Sequence, residues 1–285
     1  MGKEIIKAMM MFKNARLKKT NGKRVLILTG TINPDVFKTP ERSINVKLTN
    51  VEERLDQYKK AIKRYIEESI FTNIVFVENS GYDFDVQEIF DASLRYNKQF
   101  EFIRMSLSET QISNMLKKGK SYGESLLIDF AIKNSTLVKG CDEIWKVTGR
   151  LYVNNINKIV THSTKGANEA ICNNPRRFIK YKEDWPGQWI HTEFFKILKT
   201  DYLKYFENNW ELCDDYKDMI GWRSQHCIEQ VWYQIAKDNH IRFKNFCEYP
   251  QIEGILGSAN RKYETPFLQL QVKNILCKVG FYSIH

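Results

Sequence analysis

The sequence predicts an α/β protein, with a mostly parallel, Rossmann-like sheet in its N-terminal half and a helix-rich C-terminal half. Three observations carry that expectation. Short apolar runs closed by glycine or polar turns recur along the first 150 residues. Helical patterns of roughly 10–20 residues separate them, as right-handed crossovers between parallel strands require. After Arg150 the texture changes to a loop-like stretch followed by two helical stripes.

The elements follow in order. Residues 1–24 are rich in Lys and Arg around Met9–Met11 and Phe12, and read as a basic leader, either loosely ordered or a short amphipathic helix on a surface. Val25-Leu26-Ile27-Leu28 is a buried strand closed by Thr29-Gly30-Thr31. Leu55, Tyr58, Ile62, Tyr65, Ile66 and Ile70 recur at helical spacing, so 51–70 is an amphipathic helix. Asn73–Asn79 is a second strand, broken by Ser80-Gly81. A short helix over 89–96, a strand over 100–105, a helix over 122–135 and a strand from Glu143 into Thr148-Gly149-Arg150 continue the alternation. Residues 163–190 read as loop and 191–240 as helical, with one stripe of Phe194, Phe195, Leu198 and Tyr202 and another of Ile228, Val231, Trp232 and Ile235. The resulting division is a leader (1–24), an α/β half (25–160) and a mainly helical half (161–285) within one compact domain.

Composition narrows the function. At 285 residues, 42% hydrophobic and 27% charged, the chain is neither disordered nor fibrous. No apolar run approaches the ~20 residues of a bilayer-spanning helix. Six scattered cysteines without a C-x-x-C pair read as reduced thiols in the cytoplasm. The net charge of +10 points to an anionic partner: nucleic acid, a phosphorylated small molecule or an acidic membrane surface. The sequence contains no G-x-x-x-x-G-K-[ST], no G-x-G-x-x-G after the first strand, no G-x-S-x-G and no H-E-x-x-H. Five histidines without ligand spacing argue against a zinc enzyme, and no metal ligands are assigned.

In an α/β sheet, ligands bind beyond the carboxyl ends of the strands, so the residues there are the candidates. Thr29, Gly30 and Thr31 offer hydroxyls and backbone amides to a ribose or diphosphate, and Asn79 ends the next strand. Lys117-Lys118-Gly119-Lys120 precedes a helix, where peptide N–H groups and Lys120 would converge on a phosphate. Ser121 and Glu124 also fit a capping box. Lys146, Thr148, Gly149 and Arg150 put a guanidinium fork at the crevice. Asp83-Phe84-Asp85 has the D-x-D form that chelates divalent metals, and Asp214-Asp215 reads as a solvated turn. Glu193, flanked by aromatics that would raise its pKa, and Glu229, near His226 on an apolar helix stripe, are the candidate bases.

Together, Lys120 to Val153, with Tyr122-Gly123-Glu124 at a helix start and Thr148-Gly149-Arg150 at a turn, resemble bacterial surface-polysaccharide glycosyltransferases of capsule and O-antigen clusters, including the galactofuranosyltransferase domains of O-antigen polymerases. The likeness covers roughly residues 25–249. It implies a GT-A-like fold in which the first half binds a nucleotide-sugar and the second shapes the site of a glycan or glycolipid acceptor. It also implies a cytoplasmic enzyme, with peripheral inner-membrane contact open to it. In most GT-A enzymes the strand aligned with 143–148 ends in a D-x-D that holds Mn²⁺ or Mg²⁺. Here Thr148-Gly149-Arg150 stands in that place, which leaves the metal undecided, and no cofactor is expected beyond the nucleotide-sugar substrate. Lys120, Arg150 and Arg176-Arg177 suit the leaving diphosphate; Glu193 or Glu229 suits the acceptor hydroxyl. Two other readings stay open. One is a nucleic-acid binder, which the interspersed acidic residues and lack of a binding motif disfavour. The other is a non-catalytic membrane scaffold using a helix around 267–279.

Overall fold

The computed structural model describes residues 24–38, 48–173, 187–256, 261–263 and 265–284. The basic leader, apart from Arg24, and Arg176-Arg177 lie outside the described residues. In chain order the elements are strand β1 (Arg24–Gly30), helix α1 (Val51–Glu68), β2 (Asn73–Glu78), α2 (Gln87–Arg95), β3 (Gln99–Arg104), α3 (Glu109–Lys118), α4 (Lys120–Asn134) and β4 (Glu143–Thr148). They continue with β5 (Tyr152–Val153), α5 (Ile156–Thr161), β6 (Asn168–Asn173), β7 (Trp189–Leu198), β8 (Asp214–Ile220), β9 (Arg223–His226), α6 (Ile228–Asp238), β10 (Phe243–Lys244), β11 (Ile252–Glu253) and α7 (Phe267–Lys278).

Seven strands make one sheet in the order β10-β6-β7-β4-β1-β2-β3. β3, β2, β1 and β4 are parallel neighbours; β7 runs against both β4 and β6, and β10 runs with β6. The sheet is therefore mixed but mostly parallel, and the chain is of the α/β class.

The alternation along each strand explains the layering. In β1, Val25 and Ile27 pack with α4 and α6, and Leu26 and Leu28 pack with α1 and α5. A strand covered on both faces has no polar side, so it reads in the sequence as an unbroken apolar run. Asn50 caps α1 by accepting the Glu53 amide at 2.9 Å, and Ser108 with Gln111 forms a full capping box at α3.

Four local expectations are corrected. Residues 189–198 form a central strand and not a helix: Phe194 packs on one face of the sheet, Phe195 and Ile197 on the other. Adjacent apolar residues suit a two-faced strand as well as a helix stripe, and periodicity alone cannot separate them. The expected loop over 163–190 contains β6. Helix α3 was not foreseen, and it places Lys117 and Lys118 on a last turn, where cations meet the negative helix end. The capping box at Ser121 does not form, because α4 begins one residue earlier, after Gly119.

Trp232 on α6 is fully buried, with ring centroids 4.5 Å from Phe195 and 4.7 Å from Phe206. Trp232→Ala should lower stability by about 3–5 kcal/mol in urea denaturation. A loss under about 1 kcal/mol, the range of tolerated core changes, would contradict this packing.

Candidate active site

From β1 the chain moves to β2 and β3 on one side, then returns to β4 on the other, so the strand order reverses between β1 and β4. A crevice opens beyond the carboxyl ends at such a reversal. The two strand ends are held close there. The Gly149 amide donates to the Thr29 carbonyl at 2.8 Å, and a Cβ on Gly149 would lie 2.7 Å from that same oxygen. A Cβ on Gly30 would lie 2.7 Å from the Phe76 ring. Both glycines are required by close approach.

The loop after β1 is fixed from below. The Thr31 amide donates to the Tyr58 hydroxyl at 2.9 Å, and the Thr31 hydroxyl donates to Asn79 Oδ1 at 2.7 Å. The buried Arg54 guanidinium donates to the carbonyls of Thr31, Ile32 (3.1 Å) and Leu48 (2.9 Å). Glu78 Oε1 accepts the Ile32 amide at 2.9 Å and the Ser80 amide at 2.8 Å, while its buried Oε2 has no partner among the described residues.

Above this floor sits Arg150. It is 7% exposed, its Nη1 donates to Gln57 Oε1 at 2.9 Å, and its guanidinium lies 5.8 Å from the Tyr58 ring centroid. Its Nε is buried without a partner, and no carboxylate pairs with it among the described residues. Burial lowers the pKa of Arg54, and the like charge of Arg150 lowers it further. Two guanidinium groups thus share one dry corner of the crevice.

Beside them Glu124 receives the buried Lys146 ammonium, the Thr29 hydroxyl at 3.1 Å and the Thr148 hydroxyl at 3.4 Å. Lys146 also donates to the Thr192 carbonyl at 2.8 Å, which ties β4 to β7. Burial acts to raise the Glu124 pKa, but Lys146 and the Thr29 hydroxyl outweigh it and hold the carboxyl below its usual value. Lys146 is therefore already neutralised.

Strand β7, the β8–β9 hairpin and the start of α6 carry a second set. Glu193 Oε1 is 2.8 Å from His191 Nδ1. The expected upward shift of Glu193 is overturned: burial does push it up, yet His191 opposes more strongly and the carboxyl titrates at about 2. His191 is raised above its ordinary value, since Glu193 overcomes the effect of burial. Glu229 lies 3.8 Å from Arg223, whose guanidinium sits 4.3 Å from the Trp189 ring and 4.8 Å from that of Trp222. Trp222, at the turn between β8 and β9, is 63% exposed. His226 is held across the same hairpin by Asp218 at 2.8 Å. Burial raises the pKa of Tyr263, and the charges of Glu193 and Glu229 raise it further.

Several expected residues lie elsewhere. The first turn of α4 is taken by Asp215 and not left open for a phosphate: its carboxylate accepts from the Ser121 amide (3.0 Å) and hydroxyl. Asp215 is accordingly no solvated turn residue, and a Cβ on Gly119 would lie 2.5 Å from it. Lys120 is exposed, though its charge reaches both Glu124 and Asp215. Tyr122 is core, edge-on to Trp210, and Gly123 lets Met115 of α3 approach α4. Asp83 pairs with Arg104 and Asp85 accepts the Gln87 amide at 2.8 Å, so the D-x-D carboxylates have separate partners. Among the described residues no cluster of three His, Cys, Asp or Glu could hold a metal ion. Arg54, Glu78, His191, Arg223 and Trp222 were missed as site residues. Only the His191/Glu193 spacing carried a signal, and only for a strand.

Glu124→Gln should destabilise the fold by about 3 kcal/mol, because Lys146 would stay buried without a counter-charge. The double variant with Lys146→Met should recover most of that loss in denaturant melts. Equal losses in the single and double variants would show that the pair is not coupled. The His191–Glu193 pair has a pH signature. The depressed Glu193 contributes stability above the ordinary carboxylate range, and this is lost as pH falls towards 2. The raised His191 contributes below about pH 6.5, and this is lost as pH rises through its folded value. Glu193→Gln should therefore move the His191 NMR titration to lower pH; an unmoved titration would contradict the pairing.

No family model matches the chain, and no curated protein matches it. Solved structures similar to it include the mannosyltransferase Ktr4p of S. cerevisiae (9% identity, 93% of this chain and 82% of that one, TM-score 0.44). They also include the bifunctional glycosyltransferase WbbM (10%, 93% and 46%, TM-score 0.46) and GlyE of Streptococcus pneumoniae (12%, 76% and 43%, TM-score 0.40). The chain spans less than half the length of the last two. With TM-scores below 0.5, these likenesses carry no weight for what the chain binds or does.

Proposed function

We propose that the chain is a GT-A-like glycosyltransferase that moves a sugar from a nucleoside-diphosphate donor to a growing surface glycan, with the donor held by residues 25–160 and the acceptor by 161–285. One observation carries this reading: a buried guanidinium, Arg150, stands at the strand-order reversal without a carboxylate among the described residues, beside a second buried guanidinium. Such a corner is complementary to a diphosphate.

In the reaction the anomeric C–O bond breaks and its electron pair leaves on the terminal phosphate oxygen. Arg150 meets that charge, helped by Lys120 at the rim. Lys146, spent on Glu124, acts by fixing Glu124, Thr29 and Thr148 in place. Thr31 and Asn79 face the nucleoside. The acceptor oxygen attacks the anomeric carbon and gives its proton to the Glu193–His191 pair, with Glu229 the other carboxylate in reach. An ionised Glu193 is a weak base alone, so the pair is competent once His191 has lost its own proton. Trp222 offers an exposed ring face to the acceptor sugar. Where GT-A enzymes carry a D-x-D, the hydroxyl, glycine and guanidinium of residues 148–150 do not fit a divalent cation.

The test is a thermal-shift panel of nucleoside diphosphates and nucleotide-sugars, with and without EDTA. A ligand at 100 times its Kd should stabilise the fold by about 2.7 kcal/mol, a rise of several degrees in Tm. Arg150→Ala should abolish the rise with little change in the Tm of the free protein, and transfer should fall at least about 100-fold. A panel without any shift, or an Arg150→Ala protein that responds like the parent, would refute the assignment.

A further inference from the structure

Helix α7 packs through Cys277 and leaves an apolar stripe uncovered. Leu268, Val272, Ile275 and Val279 recur at spacings of 4, 3 and 4, one face of a helix. Together with Phe267 they are 56–79% exposed. The opposite side, with buried Cys277 and half-buried Lys273 and Asn274, faces the body of the protein. Asn274 Oδ1 accepts the Tyr249 amide at 2.9 Å, the Lys273 ammonium lies 4.3 Å from the Tyr249 ring, and the Cys277 carbonyl accepts Asn245 Nδ2 at 2.8 Å. These anchors fix the helix with its apolar stripe towards solvent.

The charge beside the stripe selects among partners. The helix carries Lys273 and Lys278 and no acidic residue. Exposed Arg242 and Lys244 precede Asn245, which is bonded to its last turn, and the chain as a whole is +10. A second copy would bring the same positive charge against this rim. No helix is long and apolar enough to cross a membrane among the described residues, and α7, at twelve residues, spans only about 18 Å.

We propose that α7 is a docking face for the surface of an anionic phospholipid bilayer, lying in the interface plane with its stripe between the acyl chains and Lys278, Arg242 and Lys244 among the headgroups. The proposal is independent of sugar transfer, because none of the crevice residues lies on α7.

The test is co-sedimentation of the full chain with vesicles of phosphatidylethanolamine and phosphatidylglycerol, compared with phosphatidylcholine alone. The expected result is binding to the anionic vesicles that weakens with salt and with phosphatidylcholine. The variant Val272→Asp/Ile275→Asp should lose at least roughly tenfold in vesicle affinity, since two apolar side chains no longer enter the bilayer. Its circular dichroism and Tm should match the parent, as both side chains are exposed. The variant comparison separates α7 from any attraction due to the basic leader alone. Failure of the parent to sediment, or equal binding by the variant, would overturn the proposal. So would a concentration-dependent dimer in solution that these substitutions dissolve, which would give the stripe to a second copy.

Discussion

A cation removed from water must be answered by an opposite charge or a full set of hydrogen bonds. In this protein the rule is met at Lys146, which has Glu124, Thr148 and a carbonyl around it, and at Lys196, which lies among Ser163, Thr164, Glu169 and Glu143. Arg54 reaches three backbone carbonyls. Arg150 breaks the rule. It has one amide oxygen and a ring face, an unmet Nε and a like charge near it. Gln57 and the Tyr58 ring hold that guanidinium beside the close-packed ends of β1 and β4, at the reversal of the sheet.

The satisfied pairs explain why the corner is rigid. Glu124 links the ends of β1 and β4 to α4, and Lys146 carries the same network on to β7. Asp215 closes the start of α4 from the β8 strand. A site built this way is preorganised, so charge that develops in a reaction meets donors already in position.

How much of this the sequence discloses depends on which physical signal a residue leaves. The strands β1 and β2 are legible because two buried faces make an apolar run, and α1 because one buried face makes a helical period, whereas α4 is buried on nearly every side. Arg150 is legible by position, as the cation after a strand. Arg54 and Glu78 are not: in Val51-Glu52-Glu53-Arg54 and Val77-Glu78-Asn79, a buried charge looks the same as a solvated one. The His191–Glu193 pair shows the cost of one wrong period. Two residues apart, side chains share a face on a strand and diverge on a helix, so reading 191–240 as helical hid the pair. Asp215 needed a contact 94 positions away in sequence, which no local pattern contains.

The central claim is that Arg150 awaits a phosphate oxygen. Calorimetric titration of the same nucleoside with and without its diphosphate tests it most directly. Charge-assisted bonds of about 1.5–3 kcal/mol each predict that the diphosphate form binds at least about tenfold more tightly, with the advantage shrinking as salt rises. Equal affinity for the two forms would contradict the account.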